Sequence, residues 1–189
     1  AATQATKSIT LDNVTPSITI ATTLEGDNKV NAAEDDTVVA SGTTTGVEDG
    51  ETVTVVFTDT TTPTALTVTA TVTVASNAWS LTGSEADISG LANGAIVITA
   101  DVSDTAGNAA TQATKSITLD NVTPAAPSFL MHSDSGESDS DNITNDATVN
   151  VTLASDLASW EYSLDDGSNW AAGSGTSFEL GDDTTYTVG

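Results

Sequence analysis

Residues 1–16, AATQATKSITLDNVTP, return letter for letter as residues 109–124 of the 189-residue chain. The offset is 108 residues. Helical solenoids and propeller blades repeat every 20–50 residues or so, which is too short a period. An entire immunoglobulin-type sandwich of about 100 residues fits it. The fold is therefore decided by what lies between the two copies.

What lies between them alternates apolar and polar residues at period two, in runs bounded by Gly, Asn and Asp, which is the signature of half-buried strands. The runs are Ser17–Thr23, Thr37–Thr43, Glu51–Thr58, Leu66–Val74, Ala78–Thr82, Ala95–Val102 and Ala113–Leu119. No segment sustains a 3.6-residue period, so no helix is expected beyond a turn around Ser84–Leu91. Seven short strands predict an all-β chain of tandem immunoglobulin-like antiparallel β-sandwiches. On this reading residues 1–12 are the closing strand of a preceding repeat, 13–120 a complete sandwich, and 121–189 an incomplete second module of a different repeat type. The second module has strand signals at Pro127–His132, Ala147–Ala154, Trp160–Leu164 and Thr176–Leu180. Its last two strands are not in the sequence, so it is expected to be truncated, with open strand edges. The chain starts in mid-pattern and reads as a piece of a longer protein.

Charge narrows the function. Asp and Glu number 27 against 3 Lys and no Arg, for a net charge of −24. Nucleic acid is excluded as a partner, because binding it requires cations that displace phosphate counterions. An anionic membrane surface repels such a chain, and no apolar run approaches the roughly 20 residues of a membrane span. Cysteine is absent, which removes disulfides, zinc thiolates and thiol catalysis. A hydrophobic fraction of 38%, arranged in strands, separates this chain from acidic disordered ones.

Strand order sends the carboxylates to particular ends of the sandwich. The entry linker and the loops after the second and sixth strands bring Asp12, Glu48, Asp49, Asp101 and Asp104 to one end. At the other end Glu25, Asp27 and Glu34 lie in the first loop, beside Asp120 of the exit linker. In the second module Asp134, Asp139 and Asp141 alternate with Ser and Asn in the loop from Ser133 to Thr144. Ca²⁺ takes 6–8 oxygen ligands at roughly 2.3–2.6 Å in a flexible shell, whereas Mg²⁺ dehydrates reluctantly. Transition metals favour His and Cys, and this chain has a single His, His132. Any one loop acid is as readily plain solvated surface. The clustering of several at one end, with so few lysines, is what points to Ca²⁺. The Asp134 loop is not an EF-hand, since its spacing differs and no helices flank it.

Several stretches together resemble the bacterial Ig-like repeats of giant RTX-type, biofilm-forming surface adhesins. They are Val30-Asn-Ala-Ala-Glu34, the run from Ser41 to Val53, Asp101-Val-Ser-Asp-Thr-Ala-Gly-Asn108, and the linker Leu119-Asp-Asn-Val-Thr-Pro124. In the second module Asp134-Ser-Gly-Glu-Ser138, Asp141, Thr144 and Trp160 to Gly167 resemble another repeat type of such proteins. The resemblance implies an extender between cell surface and adhesive tip, secreted and extracellular, with Ca²⁺ at loops and junctions. It implies Asp12 and Asp104 as junction ligands of the first module and Asp120 in the same role for the second. The partners implied are neighbouring repeats of the same chain and calcium ions, with any cell-surface or glycan target elsewhere in the parent protein. The glycine- and aspartate-rich nonapeptides of RTX β-rolls are missing from this chain.

Two other classes compete. Carbohydrate or receptor binding would use Trp79, Trp160 and Trp170, although Trp79 on a strand and Trp160 alternating with Tyr162 fit core packing better. Catalysis has no nucleophile motif to stand on: His132 is alone, and one pair among 27 carboxylates is not specified. A non-enzymatic role is expected.

Overall fold

The computed structural model describes residues 3–61, 63–131, 133–135, 137–141, 143–155 and 157–181, and none of these lies in a helix. The chain divides into two units, Ala1–Val122 and Thr123–Gly189.

The first unit is built from two sheets. One has three strands, β1 (Ser17–Ile18), β3 (Ser41–Thr45) and β6 (Ala78–Ser80), in the order β1-β3-β6. The other has five, β2 (Lys29–Asn31), β4 (Thr52–Asp59), β5 (Thr67–Thr73), β7 (Gly94–Asp101) and β8 (Ala113–Asp120), in the order β2-β8-β7-β4-β5. Alternation explains the strands directly. Along β4, Val53, Val55 and Phe57 point into the core while the residues between them are half-exposed. They meet Ile96, Ile98 and Ala100 of β7 and Ile117 and Leu119 of β8. The three-stranded sheet contributes Ile18 and Trp79, joined by Val38, Ala40, Leu81 and Ile88. Trp79 is fixed at its polar end, where Nε1 donates to the Thr19 carbonyl at 3.1 Å. The backbone of β3 runs tight beneath it: a Cβ on Gly42 would lie 1.9 Å from the Thr19 oxygen.

Two differences from the sequence expectation have physical causes. First, β2 lies inside the acidic first loop and pairs parallel with β8, Lys29 opposite Thr118 and Asn31 opposite Asp120. The sandwich is thus not purely antiparallel. Three residues around one buried valine, Val30, are too few to show periodicity. Second, the strand expected at Thr37–Thr43 begins at Ser41, with Val38 held only by a bridge to Ala86. Residues 3–12, which belong to the segment read as the closing strand of a preceding repeat, pair with no strand of this unit, with Ile9 84% and Leu11 83% exposed.

In the second unit β9 (Ser128–Met131), β10 (Thr148–Thr152) and β13 (Ser177–Glu179) form one sheet in the order β13-β10-β9. A short β11 (Glu161–Tyr162) pairs with β12 (Ala171–Ala172). Val149 and Val151 are buried. Tyr162 and Phe178 stack with centroids 4.1 Å apart, and Trp160 tilts against both. His132 and residues 182–189 lie outside the described residues.

Candidate functional site

Register places the two ends of the first unit. Ala100 lies opposite Ala113 and Gly94 opposite Leu119, so the turn between β7 and β8 marks one end and Asp120 the other. Ser17 forms a parallel bridge with Thr111, which brings the entering chain to the turn end. The entry linker and the exit linker therefore meet opposite ends of the same sandwich.

At the entry end the turn after β7 is closed by Asp104, which is only 4% exposed. Its Oδ1 accepts from the Asn108 backbone N–H at 2.8 Å and its Oδ2 from Asn108 Nδ2 at 2.8 Å. The side-chain hydrogen bond from Asn108, above all, holds the Asp104 carboxyl below the ordinary aspartate value. Asn108 Nδ2 also donates to the Asp12 carbonyl at 3.3 Å, tying the incoming linker to this turn. Thr105 connects the turn to the loop after β3, donating its N–H to Glu48 Oε2 at 3.0 Å and its hydroxyl to Glu51 Oε1 at 3.1 Å. The Thr105 N–H lowers the Glu48 pKa, and the nearby Asp104 charge opposes that shift. Gly46 adopts φ +71°, and Pro16 packs against the place its Cβ would occupy.

The remaining acids at this end are used locally. Asp49 Oδ1 accepts the Ser76 N–H at 2.7 Å, which steadies a two-residue turn with both Ser76 and Asn77 at positive φ. That is the primed geometry favoured between paired strands. Asp101 Oδ2 accepts from Gln112 Nε2 at 2.8 Å.

At the exit end Glu25, Asp27, Glu34 and Asp120 line a concavity of about 240 Å³ together with Lys29, Val30 and Asn31. Each of these carboxylates accepts a backbone N–H: Glu25 from Val39, Asp27 from Lys29, Glu34 from Asn31 and Asp120 from Val122. The exit linker is clasped through Asn121. Its N–H donates to Asn93 Oδ1 at 2.7 Å, and Asn93 Nδ2 returns a bond to Asn121 Oδ1 at 2.8 Å. Asn121 Nδ2 donates to Asp35 Oδ2 at 2.7 Å and to the Ser89 carbonyl at 3.3 Å. Asp35 and Asn93 were not singled out in the sequence, because nothing local marks a residue whose partner is 86 or 28 positions away.

In the second unit Thr144 organises the acidic loop, its hydroxyl donating to the Ser133 carbonyl and accepting from the Asp146 N–H. Asp134 is half-buried, Asp139 and Asp141 are exposed, and Asp141 Oδ1 accepts the Ile143 N–H at 3.0 Å. Of the tryptophans, Trp79 is core and Trp160 joins the aromatic cluster. Trp170 is 62% exposed and lines a concavity of about 340 Å³ with Pro127, Leu157, Ser159, Trp160 and Glu161.

The donor chemistry of both ends of the first unit suits a hard cation, since the groups presented are carboxylate, carbonyl and amide oxygens. Among the described residues, no three His, Cys, Asp or Glu side chains stand together as a metal-holding group. The acids are turned onto backbone N–H groups instead.

No family model matches the chain, and no curated protein does. Two solved structures similar to it come from large adhesion proteins. One is a tetra-tandem repeat in the extending region of a large adhesion protein, 26% identical with a TM-score of 0.44, covering 92% of this chain and 40% of that one. Another is from a 1.5-MDa bacterial ice-binding adhesin, 20% identical with a TM-score of 0.43, covering 80% of this chain and 47% of that one. The chain thus spans less than half the length of either structure.

Proposed function

We propose that the chain is an extender segment of a large secreted adhesion protein at the bacterial cell surface. Its tandem sandwiches hold an adhesive tip away from the cell for attachment or biofilm formation. The observation that carries this reading is the placement of the linkers. The chain enters the first unit against the turn after β7 and leaves past Asp120, at the opposite end. Each linker is anchored by side chains of the first unit itself: Asn108 on the way in, and Asn93 and Asp35 on the way out. The function needs no pocket and no catalytic group, and its partners are the neighbouring repeats of the same polypeptide.

Calcium is the proposed stiffening agent. At the entry end Glu48, Glu51 and Asp104, with the carbonyl or carboxylate of Asp12, are the groups that would hold it. At the exit end they are Glu25, Asp27, Glu34 and Asp120. Bound there, the ion supplies positive charge to a chain of net charge −24 and links each seam to the loops around it. An ion bound only by the folded form stabilises by RT ln(1 + [L]/Kd), about 2.7 kcal/mol per site at 100 Kd. Chelation with EDTA is expected to lower the melting temperature and to broaden the distance distribution in small-angle scattering. Unchanged melting and scattering in EDTA would overturn the calcium part while leaving the extender role standing.

A second reading, sugar binding by the second unit, has one observation in its favour: the exposed Trp170 face beside Trp160 and Glu161. Glycan-array binding that disappears in Trp170→Ala would establish it.

A further inference from the structure

We infer that β5 is a docking edge for a second copy of this chain, which adds its own β5 antiparallel across a two-fold axis through Ala70. β5 ends the five-stranded sheet, in the order β2-β8-β7-β4-β5, and among the described residues no strand pairs with its outer side. Its sequence, Thr67-Val-Thr-Ala-Thr-Val-Thr73, reads the same in both directions. Laid antiparallel about Ala70, two copies set Thr67 against Thr73, Val68 against Val72, Thr69 against Thr71 and Ala70 against Ala70. Every residue meets its own kind, so the edge is complementary to itself, as a two-fold contact requires. The usual guards of an exposed edge are charges, proline and bulges. None of them stands within Thr67–Thr73.

The backbone fits the same axis. The Asp59 N–H donates to the Leu66 carbonyl at 3.1 Å, and the Val74 N–H donates to the Glu51 carbonyl at 2.8 Å. The residues that flank β5 at even positions are thus bonded toward β4. Hydrogen-bonded and non-hydrogen-bonded pairs alternate along an antiparallel ladder. Val68, Ala70 and Val72 therefore turn their peptide groups to β4, and Thr67, Thr69, Thr71 and Thr73 turn theirs outward. In the two-fold register those threonines lie opposite one another, so the outward N–H and C=O groups of one copy meet those of the other. Ala70 sits on the axis as a non-hydrogen-bonded pair. The threonine side chains are exposed, while Val68, Ala70 and Val72 are half-buried against the core.

A net charge of −24 sets copies against each other. The stretch from Thr60 to Ser84 is the longest in the chain without a charged residue, so the docking edge itself brings no like charges face to face. Seven residues a side fall short of the roughly 20–30 of a stable complex. One pair of edges therefore associates weakly, and the contact gains strength when it is repeated along tandem modules. The two-fold axis makes paired copies run in opposite directions, as they do on two facing surfaces. These consequences for a tandem array rest on the extender reading; the pairing itself does not.

The chain contains no cysteine, so a single introduced thiol reports the register. Non-hydrogen-bonded pairs place Cα atoms about 4.5 Å apart, within the roughly 4.4–6.8 Å of a disulfide. Under mild oxidation of the folded full-length chain, Ala70→Cys should form a covalent homodimer whose yield rises with concentration and with sodium chloride. Val68→Cys alone should cross-link at least tenfold less, because it lies about 14 Å along the strand from its own counterpart at about 3.4 Å per residue. Mixed with Val72→Cys, it should give a heterodimer. Thr69→Glu with Thr71→Glu, added to Ala70→Cys, sets like charges opposite one another and should lower the yield at least tenfold. Both positions are exposed, and a melting temperature matching that of Ala70→Cys alone shows that the unit is folded. A thiol-free readout is sedimentation equilibrium of the unsubstituted chain, whose mass should rise with concentration. Thr71→Pro removes an outward N–H and no bond to β4, and should abolish that rise. Equal yields for Ala70→Cys and Val68→Cys, no cross-link in either expected pairing, or a mass rise that survives Thr71→Pro would sink the inference.

Discussion

Asp59 is the last residue of β4 and continues its inward-facing series after Val53, Val55 and Phe57. At 2% exposure, its carboxylate accepts the N–H groups of Thr61, Leu66 and Ala92 at 3.1–3.2 Å. It thereby closes the loop to β5 and fastens it to the loop before β7. The Ala92 N–H, chiefly, holds its pKa below the ordinary aspartate value. A carboxylate with a depressed folded pKa binds fewer protons folded than unfolded in acid. Its stabilisation is complete above the ordinary value of about 3.9 and is lost as pH falls through the lower folded value. Asp59→Asn is expected to melt several degrees lower at neutral pH, since its amide cannot accept from all three N–H groups. Between about pH 5 and pH 2 its melting temperature should fall less steeply than that of the parent chain. Thermal melts monitored by circular dichroism across that range check this, and parallel slopes would refute it. Parity along the strand is the sequence signal that identifies Asp59, but an acidic letter at a strand end reads first as a turn residue.

At the scale of elements, the duplicated segment is an internal control. The same letters form β8 when flanked by β7 and β2, and carry no strand when they precede β1. Period-two alternation marks both copies equally, because it reports which residues could be buried and not whether a partner strand is present. The energetic consequence is testable with one substitution made twice. Leu119→Ala empties a fully buried site and should cost about 2–5 kcal/mol. Leu11→Ala, at an 83% exposed position, should stay within about 0.5 kcal/mol. Denaturant unfolding of the two full-length variants measures the contrast, and equal losses would show that both copies are packed. The parallel strand β2 illustrates the opposite limit: three residues leave no periodic trace, and only the neighbouring Thr118–Asp120 edge of β8 makes Lys29–Asn31 a strand.

For the whole molecule, a net charge of −24 opposes compaction through self-repulsion. Monovalent salt should relieve this gradually as the Debye length shrinks from about 30 Å at 0.01 M to about 8 Å at 0.15 M. Sodium chloride is therefore expected to raise the melting temperature smoothly, without saturation at low concentration. Calcium chloride added at constant ionic strength should raise it further and saturate, because site binding follows mass action. Differential scanning calorimetry separates the two, and coincident curves for sodium and calcium would mean screening alone. Composition, the all-β class and the repeat length were legible without any structure, though the parallel strand β2 was not. Legible too was the sending of acids to the two ends of the first unit. Their pairing was not. The sequence sent Asp49 and Asp101 to the same end as Asp104, yet their oxygens are engaged by Ser76 and Gln112. The groups at the turn after β7 are instead Glu48, Glu51 and Asp104 through Thr105 and Asn108.

By itself, then, the sequence determined an all-β chain, because alternation at period two admits no other regular structure. It also determined a module of about 108 residues with acidic loops and a proline-containing seam. Tertiary structure decided which face each sheet turns to the other and which residue grips each seam. Those outcomes depend on contacts between positions dozens of residues apart, and a strand's backbone groups are satisfied only by a neighbour that local sequence does not name.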